Sequence, residues 1–125
     1  MTKMVIVMRK DLNMRRGKQI AQSCHASLAI LTNMLSESGG NWTIDIPTVM
    51  EEWLKDSFTK ICVYVNSEKE LFDIYDKAKA NDILCSIIQD AGRTEFNGVP
   101  TYTCCAIGPD YSDKINEITG KLPLL

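Results

Sequence analysis

The chain has 125 residues, of which 45% are hydrophobic and 24% charged, and its formal net charge is −2. These values fit one globular domain over residues 1–125 and argue against disorder and against a general nucleic-acid binder. No apolar run approaches the roughly 18–20 residues that a membrane-spanning helix needs. The apolar stretch after Met1 is too short for a signal peptide. We therefore expect a soluble, cytoplasmic protein that does not engage a membrane.

The first half of the chain predicts a strand, a long helix and a loop. Residues 3–8 form a short apolar run typical of a buried central strand. A helical pattern starts at about Arg16 and places four apolar residues on one face: Ile20, Cys24, Leu28 and Leu31. Gly39-Gly40 ends this helix or the loop after it. Residues 36–46 are rich in Ser, Gly and Asn and predict a mobile surface loop.

The second half alternates strands and helices. Pro47 opens a helix over Thr48–Lys55, and Ser67 with Glu70 forms a capping box before another helix. Further strands are predicted at 60–65, 84–88 and 101–107, and a final helix at 110–119. The order β-α-α-β-α-β-β-α predicts an α/β domain with one mixed sheet and helices on both faces.

Positive charge is concentrated at the N-terminus. Within residues 1–18 there is one acid, Asp11, against six basic side chains: Lys3, Arg9, Lys10, Arg15, Arg16 and Lys18. A local basic cluster on an acidic body suits a protein that grips a polyanion at one place. A solvated charged loop would have the same composition.

The cysteines predict buried, reduced thiols rather than a metal site. There are five, and none forms a Cys-x-x-Cys pair or a zinc-like cluster with histidine. Phosphate-binding glycine loops and Gly-x-Ser-x-Gly elbows are also absent from the sequence. We therefore expect no metal and no cofactor.

Three polar side chains on the first long helix form the strongest local candidate for chemistry. Lys18, Gln22 and His25 share one stripe, because their offsets are four and three residues. The stripe begins at a strand–helix junction, where a helix N-terminus attracts anions. Cys24 is no partner for His25, since neighbouring helical residues project about 100° apart. This argues against a thiol hydrolase.

Several segments together resemble the type 2 peptidyl-tRNA hydrolases. The segment from Arg9 to Lys18 is similar to the family's R-x-D-L-x-M-x-x-G-K, and Gln22 to Ala26 to its Q-x-x-H-A. Residues 90–94 match D-A-G-R-T, residues 103–109 resemble T-x-x-x-I-G-P, and residues 118–122 resemble V-T-G-x-L. The blocks occur in order across almost the whole chain.

The resemblance implies a three-layer α/β/α sandwich around a four-stranded mixed sheet, often dimeric. It also implies hydrolysis of the ester between a peptidyl group and the terminal tRNA ribose, without metal or cofactor. Peptidyl-tRNA is the expected partner, and a homodimer is the expected assembly. Two departures stand out. Ser23-Cys24 replaces the common Cys-Ser, and the stretch from Asp90 to Thr103 is one residue longer than usual, which makes Thr103 the hardest position to align.

The resemblance assigns candidate roles by position. Asp90 and His25 would share the positioning and deprotonation of water, and which of them is the base stays open. Lys18, with donors from Thr103 and Gln22, would stabilise the oxyanion. Thr94 completes the set that the resemblance supplies, as a substrate-binding residue. The charge of the N-terminal cluster, and its place beside these residues, adds Arg9, Lys10, Arg15 and Arg16, which we expect to bind tRNA phosphates. A non-catalytic tRNA- or protein-binding module of the same fold is the alternative.

Overall fold

A computed structural model describes all 125 residues. In chain order the elements are β1 (Thr2–Arg9), α1 (Arg16–Thr32), β2 (Leu35–Ser38), β3 (Asn41–Ile44), α2 (Thr48–Lys55), β4 (Lys60–Val65), α3 (Glu68–Ala80), β5 (Cys85–Asp90), β6 (Thr101–Tyr111) and α4 (Ser112–Thr119). Short 3-10 turns lie at Lys10–Leu12 and Phe96–Gly98.

The main sheet has four strands in the order β4-β1-β6-β5. Strand β1 runs parallel to β4 and antiparallel to β6, and β6 runs antiparallel to β5, so the sheet is mixed as predicted. Central strand β1 is buried on both faces. Its even-numbered residues pack with the core on the α1 and α2 side, and Val5 and Val7 pack with the core on the α3 and α4 side. The α/β/α sandwich is thereby confirmed.

Helix α1 buries a different face from the one that its apolar residues predict. Ile20 and Leu28 are 59% and 60% exposed, whereas Gln22, Ala26 and Ile30 are buried. The small Ala26 side chain allows close contact with the sheet, where Ser86 Oγ donates a hydrogen bond to the Ala26 carbonyl at 2.7 Å. Of the predicted apolar face of Ile20, Cys24, Leu28 and Leu31, only Leu31 packs against the core, and the buried face carries a polar residue, Gln22.

Residues 36–46 were predicted as a loop but largely form a two-stranded hairpin. Strands β2 and β3 pair antiparallel from Leu35↔Ile44 to Ser38↔Asn41. Gly39 and Gly40 form its turn, with φ of 59° and 83°, the positive values that type I′ hairpins need. They do not end α1, which stops at Thr32. Trp42 on this hairpin is 66% exposed.

The remaining element predictions are confirmed with small shifts at the ends. The Ser67 hydroxyl accepts the Glu70 N–H as expected, while the Glu70 carboxylate accepts from the Asn66 N–H. Strand β6 continues to Tyr111, so α4 begins at Ser112 rather than at residue 110. Strand β5 continues through Asp90, which is its last residue rather than the first of a turn. None of the helices has the length and apolarity to cross a membrane.

Candidate active site

An ion pair joins the first turn of α1 to the end of β5. Lys18 Nζ lies 3.0 Å from Asp90 Oδ1 and also donates to Thr94 Oγ1 at 3.0 Å. The two charged residues are 72 positions apart in the chain, and their side chains are 14% and 16% exposed. Because β1 and β5 lie in one sheet and α1 packs across it, the fold itself brings these groups together. The ring of Phe96, which the sequence did not single out, lies 5.9 Å from the same ammonium.

Gln22 and Thr103 support the ion pair from the buried side. Gln22 Nε2 donates to Asp90 Oδ1 at 3.3 Å, and Gln22 Oε1 accepts a 2.6 Å bond from Thr103 Oγ1. Gln22 is 1% exposed and Thr103 fully buried. The hydroxyl of Thr103 therefore donates its proton to Gln22, and this bond fixes the orientation of the amide. We had expected Thr103 to donate to an oxyanion, but its burial makes it a positioning residue.

The network keeps Asp90 ionised. Partial desolvation acts to raise the pKa of Asp90, but hydrogen bonds from Lys18 Nζ, the Gly92 N–H and Gln22 Nε2, with the charge of Lys18, outweigh it. The net result is a pKa below the ordinary value of 3.8. Oδ1 accepts two of these bonds and Oδ2 accepts only the 2.9 Å bond from Gly92. A carboxylate has about four lone-pair sites, so Oδ2 can still accept a water molecule.

Gly92 is required by the backbone of the loop that follows Asp90. Its φ is +82°, and an added Cβ would lie 2.4 Å from the Val99 carbonyl oxygen. No side chain fits there without moving the backbone, which also carries the N–H that binds Asp90. The glycine of the D-A-G-R-T block thus has a steric reason.

We expect Gly92→Ala to destabilise the fold by about 1–3 kcal/mol, because it combines a strained φ with a backbone clash. Urea unfolding measures the change. Gly17→Ala is the matched control, since Gly17 lies in α1 with nothing within 4 Å of an added Cβ. That substitution should be neutral or stabilise the fold by up to about 1 kcal/mol. Equal effects of the two changes would contradict the steric role of Gly92.

Comparison with known proteins identifies the family of this chain. The family model described as "Peptidyl-tRNA hydrolase PTH2" matches residues 2–125. A protein of Methanocaldococcus jannaschii named peptidyl-tRNA hydrolase is 46% identical over 98% of this chain and 99% of its own length. The chain belongs to the PTH2 family of peptidyl-tRNA hydrolases. Relatives of the same name from Sulfurisphaera tokodaii and Methanococcus vannielii are 40% and 36% identical, over at least 98% of both chains in each comparison.

His25 lies outside the hydrogen-bonded network of this PTH2 chain. Its side chain is exposed on α1, and no hydrogen bond or ion pair in the structure involves its ring. Gln22, three residues earlier, is buried instead. The predicted stripe of Lys18, Gln22 and His25 is thus split: the first two belong to the network, and His25 is exposed to solvent and makes no hydrogen bond. Cys24 is exposed on α1 as well.

Four residues of the basic cluster of this PTH2 chain were predicted to bind phosphate: Arg9, Lys10, Arg15 and Arg16. The first is bonded within the protein, and the other three are exposed. The Arg9 guanidinium donates two bonds to Asp11, at 2.7 and 3.2 Å, and one to the Tyr102 carbonyl. Its side chain is only 11% exposed. Lys10 is exposed, with Nζ 4.4 Å from the centre of the Tyr64 ring. Arg15 and Arg16 are exposed at the start of α1 and form no salt bridge.

Proposed function

We propose that this chain hydrolyses the ester of peptidyl-tRNA at the site formed by Lys18 and Asp90. One observation carries the proposal: side chains from distant parts of the chain form a single hydrogen-bonded group around the partly exposed Lys18–Asp90 pair. The group contains a lysine, a carboxylate, an amide and a threonine. A module that only binds tRNA needs cations, but it does not need an ionised carboxylate beside them. A carboxylate there would repel phosphate.

In the proposed reaction, Asp90 holds the attacking water through Oδ2. The water oxygen adds to the ester carbon, the C–O bond to the terminal ribose then breaks, and a proton reaches the ribose oxygen. The products are a free peptide carboxylate and free tRNA. Because the pKa of Asp90 is lowered, its carboxylate is a weak base, and it acts mainly by aligning water. His25, exposed on α1 three residues after Gln22, stays open as the group that accepts the proton.

Lys18 stabilises the negative charge that develops on the ester oxygen. Its ammonium group has three donors, and Asp90 and Thr94 use two of them. The third is free to bind the oxyanion. Gln22 is buried like Thr103, so its amide, held by Thr103, does not reach the oxyanion but positions Asp90 through the bond from Nε2. One preorganised donor such as the Lys18 ammonium typically contributes about 10²–10³-fold in rate.

The dependence of turnover on pH separates Asp90 from another base. A carboxylate with a lowered pKa stays charged at all pH values above its ordinary value of 3.8, and its contribution is lost only as pH falls below that value. If Asp90 is the only titrating group that matters, kcat should show no acid limb between about pH 5 and pH 8. An acid limb near neutral pH that His25→Gln abolishes would assign the proton transfer to His25.

The exposed cations Lys10, Arg15 and Arg16 are proposed to bind tRNA phosphates. Arg15 and Arg16 stand at the N-terminal end of α1, where the helix dipole also favours anions. Arg9 contributes less directly, since its donors are used within the protein. Each phosphate contact contributes roughly 0.7–0.9 to the slope of log affinity against log salt.

We expect Arg16→Ala to weaken tRNA binding and to flatten the salt slope by about 0.7–0.9, with kcat at saturating substrate little changed. Filter binding over a range of salt concentrations measures this. Lys55→Ala is the control, because Lys55 is 72% exposed, is paired with Glu51, and lies just before the start of β4, whereas Arg16 follows the end of β1. An unchanged slope in Arg16→Ala would remove Arg16 from the phosphate contacts.

The activity itself is tested by incubating purified protein with peptidyl-tRNA and following the release of free tRNA. Many turnovers per protein molecule, in the presence of excess EDTA, would support a hydrolase that needs no metal. Salt-sensitive tRNA binding without turnover would support the binding module instead. Turnover lost to EDTA and restored by zinc or magnesium would overturn the cofactor-free mechanism.

We further propose that two copies associate through the apolar groove between α1 and α2. The groove has a volume of about 400 Å³. Leu28 and Phe58, which line it, are 60% and 54% exposed. Covering these side chains with a second copy removes apolar surface from water. Light scattering should give the mass of a dimer for the parental protein and the mass of a monomer for Leu28→Asp.

We also propose that the protein is cytoplasmic, because tRNA and translation are in the cytoplasm. Cell fractionation tests this location.

A further inference from the structure

The outer edge of β5 has no backbone hydrogen-bond partner, unlike the opposite edge of the sheet. Strands β4 and β5 are the two edge strands. Along β4, the C-terminal residues lie as a short antiparallel partner. The Tyr64 N–H donates to the Pro123 carbonyl at 3.1 Å, and the Leu125 N–H to the Cys62 carbonyl at 3.1 Å. No segment of the chain pairs in this way with β5.

The free edge presents backbone groups rather than side chains. The Gly108 N–H donates to the Leu84 carbonyl, so Leu84 and then Ser86 and Ile88, at every second position, face β6. Cys85 and Ile87 therefore direct their N–H and C=O groups outward, and no hydrogen bond outside the sheet uses them. Their side chains pack on the sheet face against the core beside α3. An unpaired strand edge of this kind is a template for another extended chain.

This edge leads directly to the proposed site. Asp90 is the last residue of β5, and strands advance about 3.3 Å per residue. Ile87 and Cys85 are thus about 10 and 17 Å behind Asp90 along the strand. A register shift lies between Ile88 and Gln89, immediately before Asp90, and bulges beside active sites commonly re-aim a side chain. An ester carbonyl placed at Asp90 would have its preceding amino-acid residues within reach of the edge.

We propose that the free edge of β5 binds the peptide part of peptidyl-tRNA as an added parallel strand. The proposal rests on the function proposed above and specifies how that site holds its substrate. A peptide residue opposite Ser86 would donate its N–H to the Cys85 carbonyl and accept from the Ile87 N–H. Main-chain bonds suit this substrate, because the peptide on a tRNA has no fixed sequence and every residue except proline offers the same two groups.

The length of the peptide provides the first test. A series of peptidyl-tRNAs with one, three, five and seven residues, identical at the C-terminal residue, is hydrolysed under the same conditions. We expect kcat/KM to rise by about ten- to hundredfold from one residue to five and then to level off, since only the edge up to Cys85 is available. Equal kcat/KM at all four lengths would overturn the proposal while leaving the hydrolase function intact. No hydrolysis of any substrate would overturn both.

The pattern of main-chain bonds provides a second test on the unaltered protein. In pentapeptidyl-tRNAs, each amide nitrogen is methylated in turn. A bound strand turns alternate N–H groups toward its neighbour, so kcat/KM should fall about threefold to tenfold at every second position and stay unchanged at the positions between. Losses of equal size at all positions, or no losses, would contradict strand addition.

A variant of the edge links the effect to β5. Ile87→Pro removes the outward N–H and leaves the bonds to β6 in place, and Ile87→Ala is the control for the lost side chain. The proline variant should hydrolyse short and long peptides equally, whereas the alanine variant should still prefer long ones. Retention of the length preference in a folded Ile87→Pro would overturn the proposal. If Ile87→Pro does not fold, the methylated series decides.

Discussion

Replacing Asp90 by Asn should lower kcat by two orders of magnitude or more while the affinity for tRNA stays nearly unchanged. The substitution keeps the size of the side chain but removes the charge that pairs with Lys18 at 3.0 Å and that, in the proposed reaction, aligns water at Oδ2. Single-turnover hydrolysis of peptidyl-tRNA at saturating protein measures the chemical step, and filter binding measures the affinity.

Asp76→Asn is the matched control for Asp90→Asn. Asp76 lies on α3 outside the network, so the Asp76→Asn variant should hydrolyse peptidyl-tRNA at the parental rate. Circular dichroism and thermal unfolding show whether both variants are folded. A folded Asp90→Asn protein with the parental kcat would remove Asp90 from the reaction. A loss confined to KM would make Asp90 a substrate-binding group instead.

Replacing Lys18 by Met should lower kcat by about 10²–10³-fold, the usual effect of one lost oxyanion donor. Met retains most of the aliphatic chain but loses the ammonium group that binds Asp90 and Thr94. Without that cation the pKa of Asp90 should rise toward its ordinary value, because the charge and one hydrogen bond that lower it are gone. The same single-turnover assay measures the loss.

Lys55→Met controls for the removal of a lysine charge elsewhere on the surface. Some loss of tRNA affinity is expected in Lys18→Met as well, because any cation near the phosphates contributes to binding. The loss of rate that Lys18→Met still shows at saturating substrate measures the contribution of Lys18 to the chemical step. If saturation restored the parental rate, Lys18 would be a binding residue only.

The sequence predicted the order of the main elements because their signals are local. The apolar run at 3–8, the capping box at Ser67 and the β-branched run at 60–65 each specify a structure within a few residues. The hairpin at residues 35–44 was missed because its strands are short and almost wholly exposed, so no alternation between apolar and polar residues marks them.

The face of α1 was missed for a different physical reason. Apolar residues usually mark the buried face of a helix, but here Leu28 lies at a surface groove, whereas Gln22 and Ala26 face the sheet. A buried glutamine is acceptable only because Thr103 and Asp90 satisfy its amide, and these residues lie far away in the sequence. Periodicity within one helix holds no information about such partners.

Motif positions predicted which five side chains lie together, but not that His25 lies outside their hydrogen bonds, nor how the five are arranged. Motif positions identified Lys18, Gln22, Asp90, Thr94 and Thr103, and the structure brings all five together. Spacing alone does not tell which hydroxyl is buried, so Thr103 was expected to face substrate. Nor does it reveal that Arg9 is held by Asp11, or that the Gly92 N–H binds Asp90.

The most direct test combines the two substitutions at the centre of the site. Lys18 and Asp90 form one unit, so Lys18→Met/Asp90→Asn should lose about as much kcat as the more damaging single variant, rather than the product of both losses. Parental protein is assayed beside it for release of free tRNA from peptidyl-tRNA over many turnovers. We predict efficient release by the parent and a rate at least two orders of magnitude lower in the double variant, with tRNA still bound. Release at the parental rate by a folded double variant would contradict the site.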